Sequence, residues 1–128
     1  MSDTSVTIAE LRRLVEEFVG RRDWHQFHSP KNLAMSLAIE AAELMEHFQW
    51  LTPEQSQAVV GRPEQLREVG EELADVFCYG LALANVLGID LAEALEAKMV
   101  KNGEKYPVQQ YRGRFGPSDP TKTAPGAG

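Results

Sequence analysis

The sequence predicts an all-α protein, because apolar residues recur at helical spacing over most of the chain and capping residues separate the apolar segments. Residues 7–22 form the clearest predicted helix, since Thr7 and Glu10 match a capping box and apolar residues follow at intervals of three and four. No segment shows a strand signal strong enough to change this interpretation. The pattern therefore favours a bundle of helices.

Three further predicted helices complete a four-helix bundle, and they cover residues 30–50, 63–87 and 91–102. A Thr-Pro pair stops the second helix before a polar connection at residues 54–62. Gly88 ends the third helix, Asp90 caps the fourth and Gly103 terminates it. Residues 23–30 are rich in aromatic side chains and have no helical period, which predicts an ordered loop.

The third predicted helix has more apolar surface than one small bundle can bury. From Val76 onward it is apolar nearly all round, so its second side needs a cover. We therefore expect the chain to form a homo-oligomer.

Composition and charge limit the possible classes of protein. The chain has 128 residues, 43% of them hydrophobic, which predicts one domain in residues 1–112 and a flexible Gly/Pro-rich tail in residues 113–128. A net charge of −6 argues against nucleic-acid binding. Cys78 is the only cysteine, and the longest apolar stretch is shorter than the roughly 20 residues of a membrane helix. A cytoplasmic protein that does not bind membranes is expected.

Two pairs of carboxylates interrupt the apolar rows of adjacent predicted helices. Glu40 takes a position that the second helix otherwise fills with leucine, and Glu43 follows on the same flank. Glu72 likewise stands between valines of the third helix, with Asp75 three residues later. No Lys or Arg occupies the same faces, so a divalent cation is the expected compensating charge. Oxygen ligands without His or Cys favour Mg²⁺, with Mn²⁺ as a substitute.

A single pair of acidic residues three positions apart more often belongs to a solvated helix face. Two such pairs on neighbouring helices, each interrupting an apolar row, favour a metal site. The neighbouring Glu46 is expected nearer to solvent, and His47 is expected to be structural.

The motifs EAAE (Glu40 to Glu43) and ELAD (Glu72 to Asp75) resemble those of the all-α nucleotide pyrophosphohydrolases, which include MazG, the dimeric dUTPases and phosphoribosyl-ATP pyrophosphatase. Similarity to the MazG-like dCTP pyrophosphatases extends over RDWHQFHSPKNLAMSLAIEAAELMEHFQW, EELADVFCYGLAL and KMVKNGEKYP. The resemblance covers about residues 8–111. It implies a four-helix fold, with a tetramer favoured over a dimer. It also implies hydrolysis of dCTP or modified dCTP between the α and β phosphates, which yields dCMP and pyrophosphate.

The resemblance also implies roles for further residues. Lys98, Asn102 and Lys105 would contact phosphate and sugar, although by themselves they are ordinary charges and polar groups near a helix C-terminus. The nucleobase site would be formed by Trp24, Phe27, His28, Trp50 and Tyr79. The four carboxylates would act in metal binding and catalysis, and the sequence leaves open which glutamate of the first pair takes the proton of the attacking water. His25 stands where similar sequences more usually have an acidic residue, and no role is assigned to it.

Two alternatives remain open at the level of sequence. Within the same class of enzyme, the substrate could be dUTP or a broad range of nucleoside triphosphates, because base choice depends on pocket geometry. Outside that class, a non-catalytic helical oligomer could bind nucleotide in a metal-dependent way. The intact set of four carboxylates favours the enzyme.

Overall fold

The computed structural model describes residues 1–115, which contain six α-helices. These are α1 (Ile8–Arg21), α2 (Pro30–Glu46), α3 (Pro53–Gln57), α4 (Pro63–Leu87), α5 (Leu91–Lys105) and α6 (Val108–Tyr111). Short 3-10 turns at His25–Phe27 and Ala58–Gly61 join them, and residues 1–115 contain no strand, which confirms the all-α prediction. The predicted flexible tail lies outside the described residues, apart from residues 113–115.

The prediction of four helices is wrong, because the structure contains two short helices that were not predicted. Helix α3 occupies part of the predicted polar connection, where Thr52 and Gln55 form a capping box around Pro53 at the first helical turn. Helix α6 follows Pro107 and has four residues. Helices of one turn are too short to show an apolar period, so only their caps could have revealed them.

Two predicted helix ends also differ from the structure. Helix α2 ends at Glu46 rather than at residue 50, because the backbone N–H of His47 turns to the carbonyl of Leu44 at 3.3 Å and the chain tightens. Helix α5 continues through Gly103, since the N–H of Tyr106 donates to the carbonyl of Asn102 at 2.8 Å. The glycine is thus inside the helix and does not terminate it.

Other predicted boundaries are confirmed by their caps. The backbone N–H of Glu10 donates to Thr7 Oγ1 at 3.2 Å, and the Thr7 N–H donates to the Glu10 carboxylate at 2.7 Å. Helix α4 spans the predicted residues and ends at Gly88, whose φ of +66° suits glycine. Asp90 caps α5 by accepting the N–H of Glu93 at 2.9 Å.

The chain divides into two compact units, Met1–Ile89 and a second one that begins at Asp90. In the first unit, α2 and α1 both pack on the long helix α4, and the α2–α4 contact is the more extensive. The buried apolar side chains are Val19, Leu33, Val59, Leu81, Ala82 and Ala84. In the second unit, Tyr106 and Tyr111 make an edge-to-face contact with ring centroids 5.1 Å apart.

Much of the predicted inward face is exposed in the single chain. Phe77 on α4 is 47% exposed, and Leu73 and Met45 are 55% and 58% exposed. Helices α1 and α2 pack against one side of α4. The second apolar side of α4 therefore lacks a partner within the first unit. Among the described helices, none is by itself long and apolar enough to cross a membrane, and only α4 and α5 taken together as a bent pair meet that test.

Candidate functional site

A cluster of carboxylates forms where α2 packs on α4. Glu40, Glu43 and Glu72 each place a carboxylate oxygen within 4.8 Å of the other two. Asp75 follows Glu72 by three residues on α4 and lies outside this group of three, yet its charge raises the pKa of both Glu40 and Glu72. Helix packing thus brings the two sequence-predicted pairs to one place.

Crowding of these acids shifts their protonation. The pKa of Glu40 rises from 4.5 to about 7, chiefly because its side chain shares a hydrogen bond with Glu43, then because of burial and the neighbouring negative charges. The pKa of Glu72 is also raised, first by burial and then by the charge of Glu43. His47 lies close enough to oppose this shift in the pKa of Glu72. The cluster therefore resists full ionisation by itself.

Two carboxylate oxygens in the cluster are buried without a hydrogen-bond partner, Glu40 Oε2 and Glu72 Oε2. The ion pairs found in residues 1–115 lie elsewhere, between Glu16 and His25 and between Arg67 and Glu71. Buried acceptors of this kind are costly unless a cation meets them. Hard oxygen donors at this spacing fit a divalent ion such as Mg²⁺.

A cavity of about 190 Å³ opens beside the cluster, and Asp75 lines it. Its wall includes three of the aromatic residues predicted for base binding: Trp24, His28 and Tyr79. The other lining residues are Val15, Phe18, Val19, Cys78 and Ala82. Asp75 is therefore common to the two features: its charge acts on the carboxylate cluster, and it lines the aromatic cavity.

Trp24 and His28 belong to the connection between α1 and α2, residues 22–29. We call this segment the aromatic loop. The backbone N–H of Trp24 donates to the carbonyl of Val19 at 3.1 Å, and its ring meets Phe18 edge-on with centroids 5.7 Å apart. The His28 ring lies 6.4 Å from that of Trp24. Aromatic contacts of this kind give the loop a defined path over α1.

Two of the predicted base-binding residues do not line this cavity. Phe27 is 59% exposed at the end of the 3-10 turn, and Trp50 is 86% exposed in the turns after α2. The early end of α2 explains the position of Trp50, since this residue lies beyond the helix that was predicted to include it.

The predicted phosphate-binding and sugar-binding residues all lie on α5, in the second unit. Lys98 and Lys105 are exposed and Asn102 is half-buried, and their spacing puts them on one helix face. The Lys105 Nζ lies 5.3 Å from the centre of the Tyr106 ring.

Sequence reasoning missed the contribution of Cys78 and Phe18 to the cavity wall. Both stand among apolar residues in the sequence, which gave no signal of this position. Burial, and then the charge of Asp75, raise the pKa of the Cys78 thiol, so this side chain presents a neutral, weakly polar surface.

Comparison with known proteins decides the family. The model of the MazG-like family matches residues 35–114, which contain all four carboxylates. The chain belongs to the MazG-like family. The resemblance inferred from the EAAE and ELAD motifs is thereby confirmed.

Named relatives agree with this assignment. The chain is 41% identical over 107 residues to dCTP pyrophosphatase 1 of Rattus norvegicus, covering 84% of this chain and 63% of the relative. The Homo sapiens protein of the same name is 41% identical over 106 residues, covering 83% and 62%. The chain thus spans less than two thirds of the length of these curated relatives. A crystal structure of a pyrophosphatase from Archaeoglobus fulgidus is 42% identical, with a TM-score of 0.74 over 84% of this chain and 98% of that one.

Proposed function

We propose that this MazG-like protein hydrolyses dCTP or 5-modified dCTP between the α and β phosphates, releasing dCMP and pyrophosphate and so cleaning the nucleotide pool. The observation that carries the proposal is the group of three carboxylates within 4.8 Å, two of which have buried oxygens without a partner. The names of the relatives, dCTP pyrophosphatase 1, support the choice of substrate.

Glu40, Glu43, Glu72 and Asp75 would hold Mg²⁺, for which Mn²⁺ could substitute. When bound, the ion supplies charge neutralisation for the polyphosphate and makes water nucleophilic near neutral pH. Glu40 and Glu43 are the two candidates for accepting the proton of the attacking water. Their carboxylate oxygens lie within 4.8 Å of each other, which supports either one for this role.

The aromatic cavity would hold the base. Trp24 and Tyr79 offer flat apolar surfaces, and the His28 ring adds a polar nitrogen. Since Asp75 lines the same cavity, a base held there would place its triphosphate next to the carboxylates. Roles for Phe27 and Trp50 in base binding, and for Lys98, Asn102 and Lys105 in phosphate and sugar binding, remain part of the proposal.

We further propose that the protein is a homo-oligomer, with a tetramer favoured over a dimer. The exposed apolar side of α4 supports this, because Leu73 and Phe77 line a groove of about 800 Å³ between α4 and the N-terminal residues. Patches of this kind are typical of protein interfaces. Sedimentation equilibrium of the purified protein tests the proposal, and a monomer at micromolar concentration would contradict it.

The catalytic proposal is tested by a screen for pyrophosphate release over canonical and 5-modified nucleoside triphosphates, with and without Mg²⁺. We expect release of pyrophosphate from dCTP only with the metal. Glu72→Gln should abolish turnover, whereas the matched variant Glu46→Gln, an exposed position on α2, should retain it.

Three other results would change the proposal. Release of orthophosphate would refute the cleavage position. Equal rates with all bases would replace the dCTP preference by broad specificity. Tight nucleotide binding without turnover would identify a non-catalytic binding protein.

A further inference from the structure

We propose that Glu16 and His25 are positioning residues, whose side-chain hydrogen bond holds the aromatic loop in the conformation that binds nucleotide. This inference rests on the proposed function, because it assumes that the cavity lined by Trp24 and His28 takes the base. Neither residue lines the cavity or belongs to the carboxylate cluster. Their effect would therefore be on affinity for the nucleotide.

The His25 ring is held against α1 at two points one helical turn apart. Its Nε2 lies 2.5 Å from Glu16 Oε1, and its Cε1 is 3.5 Å from the position that a Cβ on Gly20 would occupy. Residues four apart on a helix share one face, so Glu16 and Gly20 together form one contact surface for the ring. The lack of a side chain at Gly20 leaves room for this contact.

Trp24 directly precedes His25 in the chain. The position of the His25 ring on α1 therefore affects the cavity that Trp24 lines. Trp24 is 41% exposed, so its own packing fixes the ring on one side only. Asp23, just before it, has a φ of +52°, an unfavourable conformation for a residue other than glycine. A loop with such a residue keeps its path only if contacts on both sides hold it.

Other attachments of the loop include the Trp24 N–H, which donates to the carbonyl of Val19 at 3.1 Å, and contacts nearer its two ends. The Asp23 N–H donates to the carbonyl of Gly20 at 3.1 Å, and Asn32 Nδ2 of α2 donates to the carbonyl of Phe27 at 3.1 Å. Within the described residues, the Glu16–His25 contact is the hydrogen bond between a side chain of the loop and a side chain of α1. Loss of the pair would let the middle of the loop move and would leave the chemistry of the cluster unchanged.

Steady-state kinetics on the full chain with dCTP and Mg²⁺ tests this inference. Both partners are about half exposed, so we expect Glu16→Ala and His25→Ala each to raise KM about threefold, the scale of one exposed hydrogen bond, with kcat unchanged. The double variant should show no larger effect than either single one. Glu16→Gln, which can still accept a hydrogen bond from the ring, should restore part of the affinity.

The matched control is Glu17→Ala, which removes the same charge from the next exposed position of α1. Neither ion pair of the described residues includes Glu17. Equal KM values for Glu16→Ala and Glu17→Ala would overturn the inference, and so would additive effects in the double variant, a fall in kcat alone, or no recovery in Glu16→Gln.

A fluorescence measurement separates failure of this inference from failure of the proposed function. The chain has two tryptophans, so Trp50→Phe leaves Trp24 as the single reporter. In that background Glu16→Ala should increase quenching of Trp24 by iodide, and Glu17→Ala should not. A wild-type protein that hydrolyses no triphosphate would refute the proposed function, yet the quenching would still report on the pair. Unchanged quenching in Glu16→Ala would refute the positioning role.

Discussion

Arg12 on α1 and Asn85 on α4 hold each other through reciprocal hydrogen bonds. Arg12 Nε donates to Asn85 Oδ1 at 2.9 Å, and Asn85 Nδ2 donates to the backbone carbonyl of Arg12 at 3.0 Å. The remaining guanidinium nitrogens donate to the carbonyls of Ala84 at 3.1 Å and Ile89 at 2.6 Å. One side chain thus joins α1 to the end of α4.

Replacement of Arg12 by lysine should destabilise the protein by about 1–3 kcal/mol, because a single ammonium cannot reproduce the three directions of the guanidinium. Urea unfolding at neutral pH measures this loss. Arg13→Lys, at the exposed neighbouring position, should change the free energy of unfolding little. Equal effects of the two variants would show that the Arg12 hydrogen bonds add nothing to stability.

The metal-free protein should lose stability as pH rises. The pKa of Glu40 is about 7 in the folded chain and near 4.5 without its neighbours, so the folded state binds more protons between these values. The stabilisation is complete below about pH 4.5 and disappears as pH passes through about 7. Urea unfolding in EDTA at pH 5.5 and pH 8 should show the difference.

Glu40→Gln should reduce this dependence, because glutamine does not titrate and needs no proton to lie beside Glu43. Glu46→Gln, on the exposed side of α2, should keep the slope of the parent protein. A flat profile in the parent would contradict the raised pKa of Glu40.

A divalent ion should raise the thermal stability of the protein after EDTA treatment. Binding to the folded state alone stabilises by about 2.7 kcal/mol when Mg²⁺ or Mn²⁺ is at a hundredfold excess over its Kd. Glu43→Gln and Glu72→Gln should reduce the shift, because each removes a charged ligand from the group within 4.8 Å. Differential scanning calorimetry measures the effect, and an equal shift in these variants would place the ion elsewhere.

Gly103→Ala should stabilise the protein by roughly 0.5–1 kcal/mol, because alanine is the better residue inside a helix. A Cβ at this position meets no atom within 4 Å, and α5 continues to Lys105. Thermal unfolding followed by circular dichroism tests this. Destabilisation would instead indicate that the glycine ends the helix, as its sequence position suggested.

Sequence features that act locally predicted much of the fold. The Thr7–Glu10 box, Gly88 and Asp90 marked true helix ends, because a cap involves residues within one turn of each other. Prediction failed for α3 and α6, which are too short to show a repeated apolar pattern, and at Gly103, where the helix contains a residue of low helix propensity. At Gly103 the helix continues in spite of the low helix propensity of glycine.

For the candidate site, the two carboxylate pairs and the MazG-like family were predictable from the sequence, because glutamates in apolar rows and long shared motifs are visible without a structure. The folded structure was needed to show that Glu40, Glu43 and Glu72 form the tight group while Asp75 lines the aromatic cavity. It also brought Trp24, His28 and Tyr79 together, left Phe27 and Trp50 outside the cavity, and gave His25 a partner. These contacts join residues far apart along the chain, and they depend on how α2 packs on α4 and on the path of the loop over α1. A helical period specifies which face of a helix is buried, but it does not specify which side chain of a neighbouring element that face will meet.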